Sequence, residues 1–180
     1  SQSILKFVVV GGGTDLNIIT SGEDGTVRTW NFNSYTSNFD HIHCYEGHLR
    51  GVTGLAFNGN VLKKVMYDSC YPMLDFWCIW ISTAAQTQLW SSSMDYTIRV
   101  WSLESNTVVK TFTPVDGGHA NQIACLAKSD DNRIIASGGM DSMLIVYEAA
   151  TMQVLYKGNQ GGIVAAVSCV TRTPDEGESC

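Results

Sequence analysis

Short runs of alternating apolar and polar positions are the strongest pattern in this chain. Residues 52–57 (VTGLAF) and 123–127 (IACLA) alternate with a period of two, which is typical of half-buried β-strands. In the first 45 residues we predict strands near 5–10, 17–21, 27–31 and 41–45, separated by segments with Gly, Asn, Asp and Ser. The pattern predicts an all-β fold of short strands joined by turns.

An internal repeat becomes visible when the chain is aligned with itself. Residues 18–30, 89–101 and 134–147 align without gaps, and in each the Asp lies six positions before an aromatic residue and a hydroxyl residue lies ten before it. Gly47–His48 and Gly118–His119 precede the second and third segments. Each Asp falls where a tight hairpin turn is expected. The sets are Thr20, Asp24 and Trp30; Ser91, Asp95 and Trp101; and Ser137, Asp141 and Tyr147.

The joint recurrence of Gly-His, the hydroxyl, the Asp and the aromatic resembles the WD40 repeat. That repeat forms one four-stranded blade of a β-propeller. Three departures stand out: Tyr147 replaces the Trp, no unit ends in Trp-Asp, and the first unit lacks its upstream His. The resemblance implies an all-β fold, a WD40-type β-propeller fragment of four-stranded antiparallel blades.

The resemblance also implies what the repeated polar residues do. In this family they form a hydrogen-bonded chain inside each blade, because a half-buried Asp needs donors. We therefore expect these Ser, His and Asp residues to be structural, with none catalytic. The expected networks are His48, Ser91, Asp95 and Trp101; His119, Ser137, Asp141 and the Tyr147 hydroxyl; and, without a His, Thr20, Asp24 and Trp30.

The repeat spacing suggests a division of the chain. We predict blade one over residues 1–45, blade two over 46–112, blade three over 113–157, and the start of a fourth blade with a tail over 158–180, with an inner strand at 162–170. Three and a half blades are too few to close a ring, and repeats bury their faces only against neighbours. We therefore expect a fragment or truncated isoform whose remaining blades are missing.

Blade two is longer than its neighbour. His48 to Trp101 spans 53 positions and His119 to Tyr147 spans 28, while removing residues 65–88, which are 24 in number, gives 53 − 24 = 29. Three interpretations stay open: a retained intron, since Val65 and Gln88 allow GT and CAG ends; a surface loop with an aromatic partner motif; or a buried extra element. The aromatic motif would comprise Phe76, Trp77, Ile79 and Trp80.

Composition narrows the class of protein. The net charge is −6, and charged residues are 16% of the chain. Nucleic-acid surfaces need clustered Lys and Arg, so we expect no nucleic-acid partner. No apolar run reaches the roughly 20 residues of a membrane span, so we expect no membrane partner, and we also expect no signal peptide. The six cysteines lack CxxC spacing, which favours reduced thiols and an intracellular, cytoplasmic or nuclear location.

Other candidate chemistry is weak. His41 and His43 would share one face of a strand, but two ligands are too few for a structural zinc site. Gly11–Gly13 lacks the GK[ST] ending of a phosphate loop. We therefore predict no catalytic residue, no metal and no cofactor.

The resemblance places partner binding on the face that carries the Gly-His loops and the Asp hairpins. We expect a non-catalytic scaffold that binds other proteins or peptides there. One alternative is a substrate-recognition or regulatory module of a larger enzyme, such as a ubiquitin ligase or kinase. Another is a nonfunctional truncated or intron-retaining splice product. The expected partner-binding positions are Glu23, Arg50, Met94, Asn121 and Met140, with Asn159 as a further candidate.

Overall fold

The structure, a computed structural model, describes residues 3–11, 16–58, 64–65, 79–80 and 87–169. Within these ranges the chain forms strands and one short 3₁₀ helix, Pro114–Asp116, and no α-helix. The all-β prediction is confirmed. In the same ranges, no helix has the length and apolar character needed to cross a membrane.

Twelve of the strands form three four-stranded antiparallel sheets. The first sheet contains β1 (Ile4–Val10), β2 (Asn17–Gly22), β3 (Val27–Asn33) and β4 (Asn38–Tyr45). The second contains β5 (Val52–Asn58), β8 (Gln88–Ser93), β9 (Ile98–Ser102) and β10 (Thr107–Phe112). The third contains β11 (Ile123–Lys128), β12 (Ile134–Gly139), β13 (Met143–Glu148) and β14 (Gln153–Asn159).

The three sheets are neighbours in space, and β5 packs between β1 and β11. The hydrophobic core lies between sheets. Each cluster of buried side chains draws on two adjacent sheets, which is how apolar sheet faces leave water. The cluster between the first and second sheets contains Val10, Ile19, Val27, Tyr45, Val52, Leu55, Phe57, Leu89 and Trp101. The cluster between the second and third sheets contains Ala56, Trp90, Ile98, Val100, Phe112, Ile123, Leu126, Ile135, Ile145, Tyr147 and Ala149.

The first sheet leaves one face uncovered by the described residues. Phe7 pairs with Thr20 in register as Leu55 pairs with Ser91, so Phe7 and Leu55 hold equivalent positions. Leu55 is only 5% exposed because the first sheet covers it, whereas Phe7 is 62% and Val9 52% exposed. We call the surface formed by Ile4, Phe7 and Val9 the open face.

The inner strand predicted at residues 162–170 is not formed in the described part, 162–169. That prediction is wrong because a strand requires backbone hydrogen bonds to a neighbouring strand, and these residues join none of the described sheets. They do lie against the third sheet. Val164 N donates to Gly139 O at 3.2 Å, and the Cys125 thiol donates to Val164 O at 3.6 Å.

Most of the predicted insertion, residues 65–88, lies outside the described residues. At its two described places, β6 (Lys64–Val65) pairs with β7 (Ile79–Trp80). At its end Thr87 and Gln88 are buried, and Gln88 is the first residue of β8. Its three interpretations therefore stay predictions.

Candidate functional site

The loops at one end of the three sheets repeat the same geometry. We call β1, β5 and β11 the inner strands of the three sheets. In each sheet, the first residue after the second strand donates its backbone N–H to the carbonyl oxygen of the residue just before the inner strand. Residues 23–26, 46–51, 94–97, 113–122 and 140–142 therefore form one surface, which we call the loop face. The three bonds are Glu23 N to Ser3 O at 3.0 Å, Met94 N to Gly51 O at 3.0 Å and Met140 N to Gln122 O at 2.8 Å.

A chain of hydrogen bonds lies beneath the loop face in the second sheet. Trp101 Nε1 donates to Ser91 Oγ at 2.8 Å, and Ser91 Oγ lies 2.8 Å from His48 Nε2. His48 Nδ1 lies 3.1 Å from Asp95 Oδ2. The ionised Asp95 carboxylate can only accept, so His48 Nδ1 carries a proton that is directed at it. Asp95 also accepts from Leu49 N at 2.8 Å, so the network fixes the loop.

The third sheet repeats this arrangement with a tyrosine at its inner end. His119 Nδ1 lies 2.9 Å from Asp141 Oδ1, and Nε2 lies 2.8 Å from Ser137 Oγ. The Tyr147 hydroxyl lies 3.4 Å from Ser137 Oγ, longer than the indole contact in the second sheet. Ala120 N donates to Asp141 Oδ2 at 2.8 Å, as Leu49 N does to Asp95.

The first sheet keeps only part of the arrangement. Trp30 Nε1 donates to Thr20 Oγ1 at 2.9 Å, as in the second sheet. Asp24 instead forms an ion pair with Arg28 at 2.7 Å and accepts from Thr26 Oγ1 at 2.7 Å. The cation of Arg28 thus balances the hairpin carboxylate where no His precedes it.

The two buried carboxylates stay ionised far below neutral pH. Burial alone would raise the pKa of Asp95, but hydrogen bonds from His48, Thr97 and Leu49 N outweigh it and hold the pKa well below its usual range. The pKa of Asp141 is lowered in the same way, burial being outweighed by His119 and Ala120 N.

In the third sheet, the pKa values of His119 and Tyr147 are shifted mainly by burial. Burial lowers the pKa of His119 although Asp141 opposes the shift, so this imidazole is neutral at pH 7. Burial raises the pKa of Tyr147 to about 12. A neutral hydroxyl and a neutral imidazole are the forms that the hydrogen-bond chain requires.

Acid should weaken the fold through these groups. The folded pKa values of Asp95 and Asp141 lie below the unfolded value of about 3.9, so their stabilisation is complete above about pH 5, begins to be lost below about pH 4 and is fully lost only below the folded pKa values. The lowered pKa of His119 adds a loss that begins below about pH 6.5. Urea unfolding at pH 7, 5 and 3.5 should give a falling free energy of unfolding, with a smaller fall between pH 5 and 3.5 in Asp141→Asn. Equal acid sensitivity in the two proteins would contradict this.

The serines of these networks have no access to a substrate. Ser91 and Ser137 are fully buried, behind an aromatic ring and a histidine. A nucleophile must reach the reacting atom, so the Ser-His-Asp order here can hold a loop but cannot attack a ligand. Chemically, the arrangement fixes the backbone of the loop face.

All five predicted partner-binding residues are exposed on the loop face. The structure adds two that the sequence reasoning missed, Leu49 and Val115, which are 89% and 95% exposed. Their sequence signal was an apolar residue directly after a Gly-His pair and one directly after a Pro in a polar connection. Asn159 is also exposed, at the end of β14.

Metal ligands are not grouped in the described part of the chain, where no three His, Cys, Asp or Glu side chains could hold one ion. His41 contacts Trp30, with ring centres 5.1 Å apart, and His43 contacts Tyr45 at 4.5 Å. Both histidines thus pack edge-to-face on aromatic rings.

Stacked four-stranded antiparallel sheets, with inner strands side by side and one network per sheet, define the blades of a β-propeller. Comparison with known families agrees, since the family described as WD domain, G-beta repeat matches residues 106–148. That stretch runs from the outer strand of the second sheet through the third strand of the third, so one sequence repeat links two blades. Residues 106–148 therefore match one WD40 repeat, and the three sheets have the form of WD40-type blades.

Its relatives are longer proteins, and one of them is named for its WD repeats. The chain is 30% identical over 91 residues to an uncharacterized WD repeat-containing protein of Schizosaccharomyces pombe, covering 48% of this chain and 22% of that protein. It is 28% identical to a ribosome biogenesis protein WDR12 homolog of Anopheles gambiae, covering 72% and 24%. It is also 28% identical to the human U3 small nucleolar RNA-interacting protein 2, covering 42% and 18%. The chain thus spans less than a quarter of the length of each.

Proposed function

We propose that this protein is a non-catalytic scaffold that binds other proteins or peptides on the loop face. The observation that carries the proposal is a group of exposed apolar side chains on loops whose backbones are tied to buried networks. Exposed apolar groups on one surface are typical of protein contacts, and methionine adapts to varied partners. The group consists of Leu49, Met94, Val115 and Met140.

The rigidity of these loops supports the proposal. Leu49 N donates to Asp95, and the hairpin below Met94 is closed by Asp95 N to Ser93 Oγ at 3.1 Å. A surface already held in its bound shape loses less conformational entropy when a partner arrives. The networks therefore contribute to binding through the loops that they fix.

The uncovered sheet leads to a second part of the proposal. We propose that each sheet is one blade, with blades over residues 1–45, 46–112 and 113–157 and a fourth beginning at residue 158. A further blade would cover the open face, since its residue Phe7 occupies the position that Leu55 occupies between the first and second sheets. Repeats of this kind are stabilised mainly by such neighbours.

The names of two relatives suggest where the scaffold works. One is named for ribosome biogenesis and one for interaction with a small nucleolar RNA. We propose a nuclear location for this chain, with contacts to any RNA-containing assembly made through its proteins. The net charge of −6 supports protein rather than RNA contact.

Site-specific photo-crosslinking in cells tests the proposal. A benzoylphenylalanine replaces Met94 or Met140 on the loop face, and Val108 or Val109 on the outer strand β10 serves as the control. Their exposed fractions are matched, at 36% and 46% against 39% and 50%. We expect discrete protein adducts from the loop-face positions alone. Adducts to RNA, or equal adducts from the outer strands, would contradict the proposal.

A further inference from the structure

The most unusual polar group in the described residues is the guanidinium of Arg99. Its Nε atom is buried and has no hydrogen-bond partner in this part of the chain, and Arg99 forms no ion pair there. A buried donor to which nothing is bonded costs free energy, and more so when the group is charged. Because Nε is enclosed, a partner from outside can reach Arg99 only at its Nη atoms.

Comparison with the first sheet shows which partner Arg99 lacks. Arg28 is opposite Thr20 as Arg99 is opposite Ser91, so the two arginines hold equivalent positions. Arg28 pairs with the hairpin carboxylate of Asp24 at 2.7 Å. In the second sheet that carboxylate, Asp95, is bonded by His48, Leu49 N and Thr97 instead. Because His48 occupies the Asp95 carboxylate, Arg99 has no carboxylate partner in the described residues.

The surroundings of Arg99 form a site between the first and second sheets. Its guanidinium carbon lies 6.0 Å from the centre of the Trp101 ring, which contacts Tyr45 at the end of β4. Gly47 lies on the other side, where a Cβ atom would stand 2.8 Å from Arg99 Nη1. The glycine leaves this edge of the guanidinium free of any side chain. Arg99 itself is half-buried, so the site is open to a partner.

We propose that Arg99 binds a carboxylate, namely an aspartate or glutamate side chain of a partner protein. A guanidinium can present two parallel N–H groups to a carboxylate, and the two Nη groups are the pair left for a partner, since Nε is buried. A polyphosphate fits less well, because the equivalent cation, Arg28, is neutralised and Glu46 adjoins the site. The inference rests on the proposed function only for the source of the carboxylate.

Arginine side-chain NMR of the full 180-residue chain tests the proposal. The Nε–Hε signal of Arg99 is assigned by its loss in Arg99→Lys. The probe is the capped peptide Gly-Gly-Glu-Gly-Gly, and the same peptide with Gln is the matched control. We expect the Glu peptide to shift the Arg99 signal downfield to saturation, and the Gln peptide to leave it in place. The signal of Arg133, an exposed arginine of the third sheet, should not respond.

Two further measurements make the result decisive. We expect Arg99→Gln to weaken binding of the Glu peptide about tenfold or more, the size expected for a charge-assisted hydrogen bond. Its Tm should fall by no more than about 4 °C, because the change removes the contact with Trp101 but no ion pair within the described chain. A silent Arg99 signal overturns the proposal, as does a tighter response to inorganic phosphate. A signal that moves in Glu46→Gln also overturns it, since Arg99 then has an internal partner.

The crosslinking experiment is independent of this result. If no adducts form at Met94 and Met140 but the Arg99 signal saturates, the loop-face proposal is rejected and the carboxylate site stands. The reverse outcome would remove the carboxylate site alone.

Discussion

Trp101→Ala is expected to lower the free energy of unfolding by about 3–5 kcal/mol, the usual cost of emptying a buried aromatic site. The indole is 3% exposed and packs edge-to-face on Tyr45, with ring centres 5.3 Å apart. It thus joins the second sheet to the first. Its Nε1 also donates to Ser91, so the change removes a hydrogen bond together with packing. Urea unfolding followed by far-UV circular dichroism measures the loss.

Trp30→Ala is the matched control, because Trp30 occupies the same position in the first sheet. Its Nε1 bonds Thr20 as that of Trp101 bonds Ser91. Trp30 is only half-buried, since the described residues place no sheet over it. We expect a loss of about 1 kcal/mol, typical of a partly exposed position. Equal losses in the two variants would show that the open face is covered in solution.

Asp95→Ala is expected to cost about 3–5 kcal/mol, comparable to breaking a buried charged pair by removing one partner. The substitution leaves the buried His48 Nδ1–H and the Leu49 N–H without their shared acceptor. Thr97, which donates to Asp95 from its backbone and its hydroxyl, loses two further bonds. The connection over residues 46–51 should therefore loosen together with the global loss. Amide hydrogen exchange at Leu49 measures the local effect, and urea unfolding the global one.

Asp24→Ala provides the comparison within the same chain. Asp24 holds the equivalent hairpin position, but its main partner is the partly exposed Arg28. We expect a loss of about 1 kcal/mol, because ion pairs near the surface contribute little. In a double-mutant cycle, His48→Ala and Asp95→Ala should couple by more than about 1 kcal/mol. Additive losses would contradict a joint role in one network.

The sequence predicted the strands well where two local signals, period-two alternation and the hairpin aspartates, agreed. Alternation predicted β5 and β11, and the Asp hairpins predicted the turns between β8 and β9 and between β12 and β13. These signals are local, because period-two burial and turn chemistry depend on a few adjacent residues. The inner strand predicted at 162–170 failed, because apolar composition alone does not supply the neighbouring strand on which a ladder depends.

The candidate site was only partly predictable. Glu23, Met94 and Met140 were expected from equivalent positions in the repeat, and they are exposed. Leu49 and Val115 were missed, because exposed apolar residues in a connection give no periodic signal. Arg99 could not be found from sequence, since its missing partner depends on which group the hairpin carboxylate binds in three dimensions.

By itself, the sequence determined the repeated unit of this protein: its strand periodicity, its hairpin aspartates and the residues that recur at fixed spacing. These follow from covalent spacing along the chain. Only the tertiary structure decided which faces are buried and which polar groups are paired. Phe7 and Leu55 hold the same place in the repeat, yet one is exposed and the other buried. Burial and pairing depend on which sheets meet, and a residue's position in its own repeat does not specify the neighbour.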